Sequence, residues 1–316
     1  WSPNVALQYG YYWKGAFGLL ARVRAAGIPV VHRGLLTPYL NARQNPLVTR
    51  AWRYVLPALL NRFQAHHFGG SYSETDLERA GVAKSRRYFV PYSIDTPYFA
   101  QRADSPEEIA AATELRRGLG WAEDAPVLLF MCQHSWFKAP DVMMQVAAEA
   151  QSQRKTLKLI MAGSGKMTEE LKAYAEQHLA AGSYHFPGYV SSKATMPYYL
   201  AADLVLFPSR YDTWSRGVNE AMLARRPCIV SRVVPAAGGL VEHGENGYVV
   251  DPLEPGPFVA RIEEFLSLPT ERRLAMGETA RTRAQYFSYE AHADELRRSF
   301  VETAERAGRK RARAHA

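Results

Sequence analysis

Short apolar runs of strand length alternate with amphipathic stretches of helical length along most of this chain, and that alternation restricts it to an α/β architecture on parallel sheet. Val5-Ala6-Leu7 precedes an amphipathic stretch over 14–26, after which Gly27 and Ile28-Pro29-Val30-Val31 stop a helix and open a strand. A helix predicted over 47–63 leads to Ala65-His66-His67-Phe68, and Tyr88-Phe89-Val90-Pro91 reads as another short strand. A charged helix over 106–118 then reaches Asp124-Ala125-Pro126, and a second alternation begins. Strands are expected at 127–131, 157–161, 204–207, 228–230 and 248–250, with helices at 141–151, 168–180, 193–201, 216–224, 257–266 and 270–286. The pattern predicts two Rossmann-like domains. The N-terminal one, over 1–105, is incomplete with about three strands. A full domain covers 106–285, and a C-terminal helix with a basic tail covers 286–316 and packs back towards the first domain. Ligands on such sheets bind beyond the carboxyl ends of the strands, so the loops there are the place to look for chemistry.

At 316 residues the chain can bury two cores, and 47% hydrophobic with 22% charged residues excludes wholesale disorder. No apolar run approaches the roughly 18 residues that span a bilayer. The first residue is Trp1, which leads us to expect N-terminal sequence beyond it. Cys132 and Cys228 stand far apart in apolar runs and read as buried free thiols. His66 and His67 are adjacent, so on a strand they face opposite ways and are poorly placed to share a metal. The net charge is +8, with Arg306, Arg309, Lys310, Arg311 and Arg313 crowded into the last eleven positions. A solvated, frayed tail is the plain reading, and peripheral contact with an anionic membrane surface is the functional one. No stacking-aromatic or zinc-finger pattern accompanies the charge, so no nucleic-acid partner is expected.

The segment richest in chemistry runs from Phe207 to Met222, where a strand end gives way to a polar loop and then to a helix starting near Ser215. Asp212 and Glu220 bracket it with seven residues between them. Were the whole interval helical they would lie ~12 Å apart along the axis, a length comparable to that between the ribose and hexose of a nucleotide-sugar. The free N–H groups of the helix start offer a place for a diphosphate.

This segment resembles the E-x7-E motif of the retaining family 4 glycosyltransferases of the GT-B fold. Further stretches carry the same resemblance in the same order: Val90-Pro91-Tyr92-Ser93-Ile94-Asp95 with Tyr98-Phe99; the loop from Phe130 to Lys138-Ala139; Ala162-Gly163-Ser164-Gly165 after a strand; Phe186-Pro187-Gly188-Tyr189-Val190; and Gly244-Glu245-Asn246-Gly247-Tyr248-Val249. Each is weak alone, and the six in sequence, over about 88–252, are strong. Residues 1–87 resemble the second half of the family's N-terminal domain less specifically.

The resemblance implies a metal-independent transfer of a sugar from a UDP-, GDP- or similar nucleotide-sugar to a glycan or lipid-linked acceptor with retention of configuration, as in bacterial polysaccharide assembly. That setting is cytoplasmic, at the inner membrane face. It also implies roles. Glu220 would accept the ribose hydroxyls, Lys138 would neutralise the diphosphate, and Asp212 would hold a hydroxyl of the transferred sugar. The donor would further be met by Gln133, Gly163 and Thr213, by the N–H groups of Trp214, Ser215 and Arg216, and at the base by Gly188 and Val190. The donor's own phosphate would take the acceptor proton. No cofactor and no metal is implied, and the sequence contains no D-x-D.

Several positions depart from the family's pattern. Asp212 stands for a glutamate, Gln133 for an arginine, Tyr9 for a histidine, and Ala139, Ser215 and Arg225 each for a glycine. These changes keep open a catalytically degenerate binder of nucleotide-sugar, and the fold keeps open a sugar-nucleotide epimerase. Trp214 reads equally as core packing, and His134 and Trp136 read as structural or cleft-lining.

Overall fold

A computed structural model describes residues 3–9, 15–34, 54–55, 57–212, 214–251 and 253–314. The chain forms two compact units, Trp1–Tyr92 with Tyr289–Ala316, and Ser93–Ser288.

In the first unit, β1 (Ala6–Tyr9), β2 (Val30–Arg33), β3 (Ala65–Phe68) and β4 (Arg87–Phe89) pair in that order, all parallel. Four described strands thus stand against an expected three or so, and Ala65–Phe68 pairs with a neighbour on each side. Of the helix predicted over 47–63, residues 54–55 and 57–60 are helical and those up to 53 lie outside the described residues. Helices α1 (Ala16–Ala25) and α2 (Ser71–Arg79) belong to this unit, as does the final helix α11 (Tyr289–Ala314). The basic residues expected in a frayed tail instead continue α11.

The second unit runs α3 (Thr96–Ala103), α4 (Pro106–Gly118), β5 (Val127–Met131), α5 (Pro140–Gln153), β6 (Lys158–Ala162), α6 (Thr168–His178), β7 (Tyr184–Gly188), α7 (Met196–Ala201), β8 (Leu204–Phe207), α8 (Arg216–Leu223), β9 (Cys228–Ser231), β10 (Gly247–Val250), α9 (Pro255–Ser267) and α10 (Thr270–Gln285). Its sheet is parallel throughout, in the order β10-β9-β8-β5-β6-β7. Successive residues of β5 and β8 are buried on both faces, as a parallel sheet with helices on either side requires. Strand β7 has no counterpart among the expected strands, since its Pro187 and half-buried side chains mark an edge rather than a core run.

The junction lies at 92/93 rather than 105/106. Helix α3 belongs with the second unit, where Asp104 at its end accepts from the guanidinium groups of Arg281 and Arg225, each at 2.7 Å. Its start was legible in Asp95-Thr96-Pro97: the Asp95 carboxylate accepts from the Tyr98 N–H at 3.0 Å, and Pro97 suits the first turn. Helix α4 starts in the same way, with Ser105 as its cap and Arg116 and Arg117 against the dipole in its last turn. Among the described residues no helix is long and apolar enough to cross a membrane.

Candidate active site

In the second sheet, β5 is flanked by β6 on one side and β8 on the other, so the strand order reverses between β5 and β8. The crevice beyond the carboxyl ends of such a pair is the ligand position in open α/β sheets. The loop after β5 leads through a single helical turn, Trp136–Lys138, into α5; the loop after β8 covers 208–215 and leads into α8.

These two loops are fastened together. The N–H groups of Arg210 and Tyr211 donate to the Phe137 carbonyl at 2.8 and 3.1 Å. The Arg210 guanidinium grips both oxygens of Asp141 at 2.7 and 2.5 Å, donates to the Trp136 carbonyl and lies over the Trp136 ring. Such a bidentate pair fixes geometry as well as adding energy. Across the same seam the Lys138 ammonium donates to Asp212 Oδ2 at 2.6 Å. Asp212 is 3% exposed and also accepts from the Ser209 hydroxyl at 3.4 Å and the Trp214 N–H at 3.3 Å. Desolvation pulls the Lys138 ammonium down, but Asp212 outweighs it and leaves the group above its ordinary value.

Glu220 projects from the second turn of α8, and the interval from Asp212 to Glu220 is only partly helical because α8 begins at Arg216. The Tyr199 hydroxyl donates to Glu220 Oε2 at 3.2 Å. Burial raises the Glu220 carboxyl, against the lowering effects of that hydrogen bond, Arg216 and Arg102. Burial pushes the Cys132 thiol at the end of β5 up to about 12, with Lys138 opposing the rise and Asp212 and Glu220 adding to it.

A third loop closes on the first from β6. Gly163 has φ 136°, its N–H donates to the Gly188 carbonyl at 2.8 Å, and a Cβ there would sit 1.9 Å from the Cys132 carbonyl oxygen. A Cβ on Gly165 would fall 2.3 Å from the His134 carbonyl oxygen. Both glycines therefore serve a close approach of the chain to itself. His134 is buried beneath them with Nδ1 3.0 Å from the Thr168 hydroxyl, a structural position rather than one lining the crevice.

The remaining expected residues fall as follows. The Trp214 indole takes the core-packing alternative: it is 1% exposed, packs on Phe287 and donates to Asn219 Oδ1 at 2.8 Å, while the backbone N–H donates to Asp212 at 3.3 Å. Ser215 and Arg216 open α8, and Gly188 and Val190 sit half-buried around the end of β7. Gln133 is exposed, and Thr213 lies outside the described residues. The clamp of Arg210 on Asp141 and the partnership of Tyr199 with Glu220 were not foreseen, since nothing in the sequence pairs residues 69 and 21 positions apart.

One group of substitutions acquires a physical meaning. Ala139, Ser215 and Arg225, which replace glycines of the family pattern, are the described non-glycine residues with left-handed backbone, at φ 51°, 65° and 59°. The glycine geometry is kept without the glycine, at about 1–2 kcal/mol of strain each.

Residues 111–283 match the family Glycosyl transferases group 1, more than half of the chain. This chain belongs to that family. It is 28% identical over 319 aligned positions to the D-inositol 3-phosphate glycosyltransferase of Geodermatophilus obscurus, covering 94% of this chain and 66% of that protein. The chain thus spans a little less than two thirds of that relative's length. Among solved structures, Anabaena Alr3699/HepE in complex with UDP-glucose aligns with a TM-score of 0.69 at 21% identity, over 97% of this chain and 78% of that one. A sucrose-phosphate synthase from Thermosynechococcus elongatus aligns with a TM-score of 0.72 at 21% identity, over 94% and 73%. At these identities the likeness establishes the two-Rossmann GT-B fold of the family.

Proposed function

We propose that the crevice between β5 and β8 binds a nucleotide-sugar and that the protein transfers its sugar, with retention of configuration and without a metal ion, to a hydroxyl of a glycan or lipid-linked acceptor. The observation that carries this reading is the Lys138–Asp212 pair bridging the loops after β5 and β8 at the strand-order reversal of a parallel sheet, with Glu220 on the helix that follows the second loop. Glu220, held in a desolvated position with one hydroxyl partner, suits a ribose diol, whose two hydroxyls would complete its hydrogen bonding. Lys138 and the open N–H groups at the start of α8 supply positive potential where a departing diphosphate accumulates charge. In the transfer the bond from the anomeric carbon to the diphosphate oxygen breaks, the acceptor oxygen bonds on the same face, and the leaving diphosphate takes the acceptor proton. The complexes of HepE with UDP and UDP-glucose are in keeping with this class of donor.

A second reading draws on a specific observation. Asp212 already accepts from Lys138, Ser209 and Trp214, so a donor competes with that arrangement for both Asp212 and Lys138. A protein that binds the donor without using it would keep that pair closed.

The deciding measurement is calorimetric titration with UDP, GDP and ADP, on the native chain and on Glu220→Ala. Binding of one nucleotide, weakened by about 2–3 kcal/mol in the variant, supports the donor site. Equal affinity in both proteins would remove Glu220 from the site. Incubation with the matching nucleotide-sugar, with and without acceptor sugars, then separates transfer from storage.

A further inference from the structure

At the opposite, amino ends of the strands of the first unit lies a groove of about 590 Å³ that none of the chemistry above uses. Its floor is formed by residues just ahead of three strands: Ile28 and Pro29 before β2, Gln64 before β3, and Arg86 before β4. Its wall is α11, through Thr303, Arg306 and Arg309, and Arg24 at the end of α1 closes the rim. Among the described residues, four arginines therefore line the groove, and no carboxylate does.

The carboxylates nearby offset only half of this charge, that of Arg306 and Arg309, and leave that of Arg24 and Arg86. Glu302 pairs with Arg306 at 2.5 Å and Glu305 with Arg309 at 3.6 Å, both within α11. Arg24 donates to the Arg62 carbonyl, and Arg86 donates to the Phe63 carbonyl at 3.1 Å and to Asn61 Oδ1. These are neutral oxygens, which leave the positive charge of both groups in place. Burial and the neighbouring Arg306 hold the Arg86 guanidinium below its ordinary value, the mark of like charges facing one another. Thr303 adds an independent sign: it is 1% exposed, lines the groove, and its hydroxyl has no hydrogen-bond partner among the described residues. A buried hydroxyl left in that state is costly unless something else accepts from it.

We propose that this groove is an anion site for a phosphate ester, separate from the donor crevice, in which Arg24 and Arg86 neutralise the phosphate, the Glu302-paired Arg306 offers a further guanidinium donor, and the Thr303 hydroxyl donates to one of its oxygens. Guanidinium forks match phosphate oxygens in geometry and charge. The volume falls within the range of small-molecule sites and exceeds what a bare phosphate fills, so the ester carries an organic group. Phosphate esters of this size occur both as soluble metabolites and as the headgroups of anionic phospholipids, and Lys310, Arg311 and Arg313 follow directly in sequence.

The test uses the full chain with two probes, glycerol 3-phosphate by calorimetry and co-sedimentation with phosphatidylcholine vesicles with or without 30% (about a third, enough to charge the surface) phosphatidylglycerol. The double variant Arg86→Gln/Arg306→Gln should weaken binding about tenfold or more, as loss of charge-assisted contacts requires. Thr303→Val, which keeps the side-chain shape, should weaken it by a smaller factor, and Lys138→Ala should leave it unchanged. Binding of glycerol 3-phosphate alone identifies a soluble ligand, and groove-dependent binding of the charged vesicles identifies a lipid headgroup. The proposal is overturned if neither probe binds, or if binding survives both groove variants in chains whose melting temperature is unchanged. It is equally overturned if vesicle binding is lost only when Lys310, Arg311 and Arg313 are changed to Gln. Should the double variant melt early, Arg24→Gln at the exposed rim and Thr303→Val decide the matter.

Discussion

The two sheets of this protein are both parallel, yet their interiors are built from different material. In the second unit, β5, β6, β8 and β9 bury Val127, Leu128, Leu129, Phe130, Leu159, Ile160, Leu204, Val205, Cys228 and Ile229, and their polar side chains, Lys158 and Ser231, stand at strand ends. In the first unit, β2 and β3 bury His32, Arg33, His66 and His67 within the strands themselves, with His32 opposite His66 and Arg33 opposite His67 across the ladder. His66 donates through Nε2 to the Leu60 carbonyl at 3.0 Å, and His67 donates to the Ser299 hydroxyl at 2.8 Å on the other face. Burial, with Arg86 also opposing the charged form, lowers His66 to about 4; burial with Arg33 and His66 lowers His67 to about 3. An apolar sheet can carry a rigid, charged site at its rim, whereas a sheet holding buried imidazoles is tied to their staying neutral.

That contrast can be broken or sharpened in four ways. The largest effect is expected from Phe130→Ala, which opens a cavity in the second core and should cost about 3–5 kcal/mol. In a melt resolving two transitions it should move only that of the second unit; a shift of both by equal amounts would show that the units do not unfold separately. Next is Lys138→Ala, which strands the buried Asp212 carboxylate and should cost about 2–4 kcal/mol in the same unit, with the loss reduced in Lys138→Ala/Asp212→Asn.

Acid should act more on the first unit, which buries His32, His66 and His67, than on the second, where His134 is buried. A histidine lowered in the folded state binds fewer protons there than in the unfolded chain, so its contribution is complete above about pH 6.5. It falls as pH drops through 6.5 towards about 4 for His66 and about 3 for His67. Hydrogen exchange at pH 7.5 and 5 should show protection of 65–68 falling, by roughly 1–3 kcal/mol, further than that of 127–131, which is followed by the buried imidazole of His134, itself lowered by burial to about 4. Parallel loss in both segments would contradict the account. The smallest effect is that of Ser215→Gly, which relieves left-handed strain at the entry to α8 and should raise the stability of the second unit by about 0.5–1 kcal/mol after the added freedom of the unfolded glycine is subtracted. Thermal melts of the purified variant measure it.

Sequence alone determined the α/β class, the parallel second sheet and the neighbourhood of the site, because apolar periodicity and the strand–loop–helix order are local properties that each segment carries with it. It also put Lys138, Asp212 and Glu220 in the loops and helix that follow strand ends, an order that the structure keeps. It missed β7, whose edge position leaves it without an apolar run, and displaced the first junction, because the grip of Arg281 and Arg225 on Asp104 joins residues 177 and 121 positions apart. Tertiary structure decided that Lys138 and Asp212 face each other, that Arg210 locks the two loops through Asp141, and that Trp214 turns inward. It also gave Ala139, Ser215 and Arg225 the backbone of the glycines they replace. In each case the cause is a contact between distant segments, which depends on how the sheet brings loops together rather than on anything the residues' own neighbours in sequence can signal.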